Sequence, residues 1–258
     1  MIRRDEDDPS GDRSWLLISQ VEHARLAHQL AKDWGDQPCG PLEHRAALLD
    51  AIFHHDDGWY GWESMPEIDR KLGRPLAFSE MPLGESLAIW KKSIAGALDF
   101  GPLASYLVNR HFASLLRQFD RWRDNAAETA LAEAFLADVD ERAAAWRSAA
   151  RAAANGEAEV AGHDRAASWL RWFDALSLWF CVARRHVREV MQTPLGMDIT
   201  LTPIAGQEVR VSPWPWRMKA LEVTANARRV PARRYESASE LAAAVTSSMV
   251  LTWSLSPE

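Results

Sequence analysis

Apolar residues recur at helical spacing through the first three quarters of the chain and switch to alternation near its end. Ser19 with Glu22 forms a capping box, and His23, Leu26, Ala27, Leu30 and Trp34 then fall on one face of the helix it opens. Pro41 suits the first position of a second helix. On that helix Leu48, Ala51, Ile52 and His55 share a face, with Leu49, Phe53 and Asp56 beside it. Further helices are predicted from about Gly84 to Leu98 and from about Pro102 to Asp124, the latter with Ala104, Leu107, Val108, His111 and Leu115 inward. The Ala- and Arg-rich stretch from Ala126 to Ala154 favours helix but is weakly amphipathic, so it reads as peripheral, ended by Asn155-Gly156. The most apolar helix runs from about Asp164 to Met191. Between Gly58 and Gly84, glycine, proline and aromatic residues predict a long ordered loop.

After Pro194 the period becomes two. Strands are expected at Asp198–Thr202, Glu208–Ser212, Leu221–Thr224 and Val250–Leu255, with a short helix opening at Ser239–Ala242. The acidic run Asp5 to Asp8 reads as a loose end, followed by a strand over Ser14–Ile18. The expected architecture is mainly α: a multi-helix body over residues 1–193, with the strand at 14–18, and a small antiparallel β-rich extension over 194–258 packed on it.

Composition changes this picture little. Of 258 residues, 47% are hydrophobic and 26% charged, which suits a folded chain with a sizeable core. A net charge of −6, with only short basic clusters such as Arg228-Arg229 and Arg233-Arg234, gives no reason to expect nucleic acid. No apolar run is long enough to span a bilayer, and the first residues lack the apolar core of a signal peptide. Cys39 and Cys181 show no motif spacing, so a cytoplasmic location is expected.

The chemistry concentrates in Phe53-His54-His55-Asp56-Asp57-Gly58-Trp59, where an apolar run ends in two histidines and two aspartates. His23, His55, His111 and Asp174 each occupy a position where the helical pattern calls for a core residue, and Asp56 shares the turn with His55. A carboxylate among apolar neighbours, as Asp174 is among Ala167, Leu170, Leu178 and Cys181, is costly unless paired or bound to a metal. Neutral imidazoles and carboxylates suit a divalent cation (Mn, Fe, Zn or Mg) and the water it activates. The candidate ligands are therefore His23, His55, Asp56, His111 and Asp174, with Asp57 as the candidate catalytic base. His186 passes the same spacing test, and His28, His44 and His163 read as surface or loop residues.

The combination His23-Ala24, His55-Asp56-Asp57-Gly58-Trp59, Asp174-Ala175-Leu176-Ser177-Leu178 and Pro213-Trp214-Pro215 resembles the bacterial domain-of-unknown-function family 3891 over nearly the whole chain. More distantly, the order His, His-Asp, Asp is similar to that of the HD-type metal-dependent phosphohydrolases. That resemblance implies an HD-like helical bundle, with metal ligands at His23, His55, Asp56 and Asp174 and an additional one at His111. It also implies a small anionic substrate such as a phosphate ester or nucleotide, for which the basic residues from Arg184 to Arg188 are candidates.

The expected function is thus metal-dependent hydrolysis. Two other readings stay open: a non-catalytic metal- or ligand-sensing module, and a buried polar network that fixes helix register without metal. Paired Glu-x-x-His motifs, a Gly-x-Ser-x-Gly elbow and a P-loop or dinucleotide fingerprint are absent.

Overall fold

The computed structural model describes residues 1–7, 11, 13–35, 38–153, 157–182, 186–204 and 206–258. Its first elements are β1 (Ile2–Asp7), β2 (Arg13–Ile18), α1 (Gln20–Lys32), α2 (Arg45–His54), α3 (Tyr60–Glu63), β3 (Ile68–Asp69), β4 (Arg74–Pro75) and α4 (Leu83–Gly96). Then follow α5 (Pro102–Gln118), α6 (Ala126–Ala153), α7 (Glu157–Cys181), β5 (Glu189–Gln192), β6 (Asp198–Pro203), β7 (Glu208–Ser212), β8 (Leu221–Pro231), α8 (Ala238–Ala243) and β9 (Ser247–Pro257). They group into a sheet unit (Met1–Pro41, Trp59–Met81, Asp174–Glu258) and a helical unit (Leu42–Gly58, Pro82–Phe173).

The expectation of a mainly α, HD-like bundle with a small antiparallel C-terminal sheet is overturned. The chain is 53% helical, but its sheet is a large, curled, mixed one. Seven strands run in the order β1-β2-β8-β9-β7-β6-β5, all neighbours antiparallel except the parallel pair β7 and β9. The physical reason lies at the two edges of the sheet. The acidic Asp5–Asp7 is not a loose end but part of β1, an edge strand whose alternation is masked by charged residues. The most apolar predicted helix stops at Cys181 rather than Met191, and Glu189–Gln192 becomes β5 at the opposite edge.

β8 is the spine of the sheet. Leu221, Val223, Ala225 and Ala227 are buried while Glu222 and Asn226 face solvent, the alternation of a strand with one covered face. Over Ala227–Pro231 its outer edge pairs with β2. Beyond Ile18 the chain turns into α1, and side chains of that helix take over the ladder. Gln29 Nε2 donates to Thr224 O and Gln29 Oε1 accepts from Thr224 N, both at 2.9 Å, while Glu22 Oε2 accepts from Asn226 N at 2.9 Å. The edge groups of β8 are thereby satisfied where its partner strand ends.

Ser19 caps α1 as its sequence predicts, its hydroxyl accepting from Glu22 N at 3.0 Å. The Pro213-Trp214-Pro215 segment brings the chain back to the end of the same helix. Trp216 Nε1 donates to Leu30 O at 2.7 Å, and its ring meets Trp34 edge-on at 5.9 Å between centroids. A second apolar cluster gathers Met1, Leu17, Val230, Tyr235 and Leu241.

In the helical unit, α2 starts at Arg45 rather than at Pro41; His44, at φ +49°, precedes it in the left-handed region. Gly101, at φ +99°, makes the sharp entry into α5, whose first residue is Pro102. Trp90 stacks on Phe112 at 5.0 Å and meets Phe135 at 6.0 Å, joining α4, α5 and α6. α6 buries the stripe Ala132, Phe135, Val139 and Ala143. Its proposed terminator, Asn155-Gly156, lies outside the described residues. No helix among the described residues is long and apolar enough to cross a membrane.

Candidate functional site

The five candidate ligands are all buried. Close contacts link His55 with Asp56 and with His111 in the helical unit, and His23 with Asp174 in the sheet unit. In the helical unit, α2 ends at His54, and His55 occupies its C-cap with helical backbone angles. His55 Nδ1 lies 2.8 Å from Ile52 O. A carbonyl only accepts, so Nδ1 carries the hydrogen and the neutral ring has its lone pair on Nε2. That nitrogen lies 3.2 Å from Asp56 Oδ2. Two electron pairs facing each other at this distance require a proton or a cation between them. His111, on α5, meets the His55 ring edge-on at 5.2 Å, and a nitrogen of each lies within 4.8 Å of the other.

The turn after the doublet is fixed by close approach. Gly58 N donates to Ser93 Oγ at 3.0 Å. A Cβ at position 58 would stand 2.7 Å from Ser93 Oγ and 2.8 Å from Ser93 N, and closer still to Ile89 O. Only glycine fits, and the fit holds Gly58 against α4.

Asp57, the candidate base, is half-buried and engaged. Its Oδ2 lies 2.6 Å from His54 Nδ1, and the His54 ring stacks on Phe100 at 3.6 Å and 12°. His54 is thus the direct partner of Asp57.

In the sheet unit, Asp174 and Ser177 lie one turn apart on the part of α7 that belongs to it, and His23 lies on α1. His23 Nε2 is 3.1 Å from Asp174 Oδ1, and His23 Nδ1 is 2.7 Å from Ser177 Oγ. Ser177 Oγ is also 2.9 Å from Asp174 O. If the hydroxyl donates to that carbonyl, His23 Nδ1 must be the donor to Ser177, and Nε2 again faces a carboxylate with its lone pair. If it donates to His23 instead, Nε2–H is a simple donor to Asp174. Ser177 is the residue that sequence reasoning missed. Its signal was its place three residues after Asp174, on the same helical face.

The remaining candidates separate from these groups. His186 is exposed, as is Arg188, while Arg184 and Arg185 lie outside the described residues. His44 and His163 contact one another at 4.6 Å in the helical unit. Within the sheet unit, Trp59 packs edge-on against Trp62 at 5.7 Å.

A family model described as "Protein of unknown function (DUF3891)" matches residues 1–232, a span that holds both groups and stops short of α8 and β9. Comparison with curated proteins and with solved structures gave no match.

Proposed function

The chain belongs to the DUF3891 family, and for it we propose divalent-metal-dependent hydrolysis centred on His55 and Asp56, with His111, beside His55, as a further ligand candidate. One observation carries the reading: the lone-pair nitrogen of His55, fixed by the Ile52 carbonyl, faces an Asp56 oxygen at 3.2 Å with His111 beside it. An imidazole whose other nitrogen donates to a backbone carbonyl is oriented as metal-ligating histidines are. Two imidazoles and a carboxylate match the donors preferred by zinc, iron and manganese. A cation held there supplies Lewis acidity and a water of lowered pKa. His23 and Asp174, in the other unit, remain ligand candidates in their own right.

The chain's own residues contribute orientation and proton handling. Ile52 holds the His55 tautomer, Gly58 and Ser93 hold the turn, and Asp57, paired with His54, is the candidate proton acceptor. The substrate class, a phosphate ester, rests on the resemblance of the order His23, His55-Asp56, Asp174 to the HD-type motif; the fold lends it nothing.

A second reading has its own observation. The same 3.2 Å contact suits a buried imidazolium–aspartate ion pair, and His23 is held in the same way between Ser177 and Asp174. Metal analysis of tag-free protein divides the two. The proposal expects near-stoichiometric transition metal, reduced at least about tenfold in affinity by His55→Ala or Asp56→Ala. Folded wild type that binds none after incubation with manganese, iron, zinc or magnesium refutes it. Given a metal, hydrolysis within a panel of phosphomonoesters and phosphodiesters, abolished by Asp56→Ala, is required for catalysis; a bound metal without turnover makes the chain a sensor.

A further inference from the structure

Away from both groups, within the sheet unit, a cavity of about 170 Å³ opens on one face of the sheet. It has three walls. Leu17 on β2 and Arg228 on β8 form the first; they stand directly opposite in the antiparallel ladder, so their side chains share a face. The segment after α3, with Met65, forms the second, and α8, with Ser239, Leu241 and Val245, forms the third. Leu17 is 3% exposed and Leu241 2%, whereas Met65 is 69% exposed. The two leucines therefore close the floor, and Met65 stands at the rim.

The lining is apolar apart from the Arg228 guanidinium and the hydroxyls of Ser64 and Ser239. Ser64 Oγ donates back to Gly61 O at 2.8 Å, so it has no hydrogen left for a ligand. Among the described residues, the half-buried Arg228 guanidinium and the Ser239 hydroxyl make no hydrogen bond or ion pair. Glu240, next to Ser239 on α8, has both carboxylate oxygens engaged, one by Arg233 Nη1 and the other by Glu236 N at 2.7 Å. A guanidinium facing an apolar cavity with no counter-charge gains from an anion placed there. An apolar cavity of ~150 Å³ takes up benzene, so this one has room for a single ring-sized or branched hydrocarbon group.

We propose that this cavity binds a small monocarboxylate with an apolar body about the size of one ring. The planar fork of Arg228 takes the carboxylate by two parallel N–H donors, and the Ser239 hydroxyl supplies a third. The hydrocarbon lies on Leu17, Leu241 and Val245. An apolar pocket with a few convergent polar groups is the ordinary build of a small-molecule site. One guanidinium balances one negative charge, which favours a monoanion over a phosphate group. The α8 wall lies beyond residue 232, outside the span that the family model matches.

The test uses the full chain, isotopically labelled at its methionine methyls, with sodium benzoate and sodium isovalerate as probes. Sodium acetate supplies the charge without the body, and benzyl alcohol the body without the charge. Both probes should move the Met65 methyl resonance, identified by its loss in Met65→Leu, with a dissociation constant on the order of 1 mM. Acetate and benzyl alcohol should bind at least about tenfold more weakly. Arg228→Gln should weaken benzoate binding at least about tenfold, and Ala242→Phe, an exposed α8 position that lines the cavity, should abolish it by filling the space. Wild type that binds neither probe overturns the site. So does acetate or benzyl alcohol binding as tightly as benzoate, or an undiminished response in folded Arg228→Gln. If Arg228→Gln does not fold, Ala242→Phe and the two control ligands decide the matter. No residue of the proposed metal groups lines the cavity, so chelator-treated protein must give the same result.

Discussion

Replacing Gly58 by alanine tests whether the turn after the His55-Asp56 doublet is held by close approach. Its backbone is not in the left-handed region, so alanine restricts the unfolded chain and on that count stabilises by about 0.4–1 kcal/mol. Against this, the new methyl would stand 2.7 Å from Ser93 Oγ and 2.8 Å from Ser93 N, closer still to Ile89 O. The obstruction is mostly backbone of α4, which cannot rotate aside as a side chain can. The turn and α4 must separate by several tenths of an ångström or more, an overpacking that costs roughly 1–3 kcal/mol. Separation also stretches the 3.0 Å bond from Gly58 N to Ser93 Oγ, worth about 1 kcal/mol. Repulsion wins, and the net expectation is destabilisation by about 1.5–3 kcal/mol. Urea unfolding followed by tryptophan fluorescence reads it as a lower midpoint at unchanged slope. A variant as stable as wild type, or more so, shows that the close approach is not a constraint and that the doublet is held by something else.

Two further predictions concern protonation. Asp164 lies between Tyr106 and Arg147, with Arg147 Nη2 at 2.9 Å; burial raises its carboxyl, but the Tyr106 hydrogen bond and the Arg147 guanidinium outweigh that and hold it below 3.8. A depressed carboxylate stabilises above its unfolded value and loses that contribution as pH falls through the folded one. Asp164→Asn should therefore lose about 0.5–1 kcal/mol at neutral pH, a figure kept small because the side chain is 45% exposed. Its urea midpoint should then fall less steeply than that of wild type below about pH 4; parallel curves would remove the pair from the account. Burial raises Cys39 from 9.0 to about 11, so its neutral thiol contributes stability below the unfolded value that is lost as pH rises toward 11. Iodoacetamide at about pH 8 should leave Cys39 unmodified in native protein and label it in urea, read by peptide mass; equal rates in the two states contradict its burial.

Much of the local structure was legible in the residues. The Ser19 cap, the face from His23 to Trp34, Pro102 at a helix start and the strands near Asp198, Glu208, Leu221 and Val250 all depend on neighbours within a few positions. β1 escaped because an edge strand of charged residues carries no alternation of hydrophobicity; its pairing with β2 and the burial of Arg4 depend on what lies across the sheet. β5 escaped because it follows a strongly apolar helix without an obvious break in the pattern. Around the candidate site, spacing identified four inward polar residues, with Asp56 next to one of them, but could not say which of them touch. His54 with Asp57, and Ser177 with His23, are pairs that only the packed side chains disclose.

The sequence by itself determined where the long helices and the central strands lie and turned His23, His55, His111 and Asp174 inward, because hydrophobic period and capping are set by residues three or four apart. Tertiary structure alone decided that β2 joins β8, so that Ile18 lies opposite Ala227, and that β9 fills the place between β8 and β7 in parallel with β7. It also decided that His55 presents its lone-pair nitrogen to Asp56. Strand pairing, and the burial of a charged residue such as Arg4, are settled by partners far apart along the chain, whose identity no local pattern encodes.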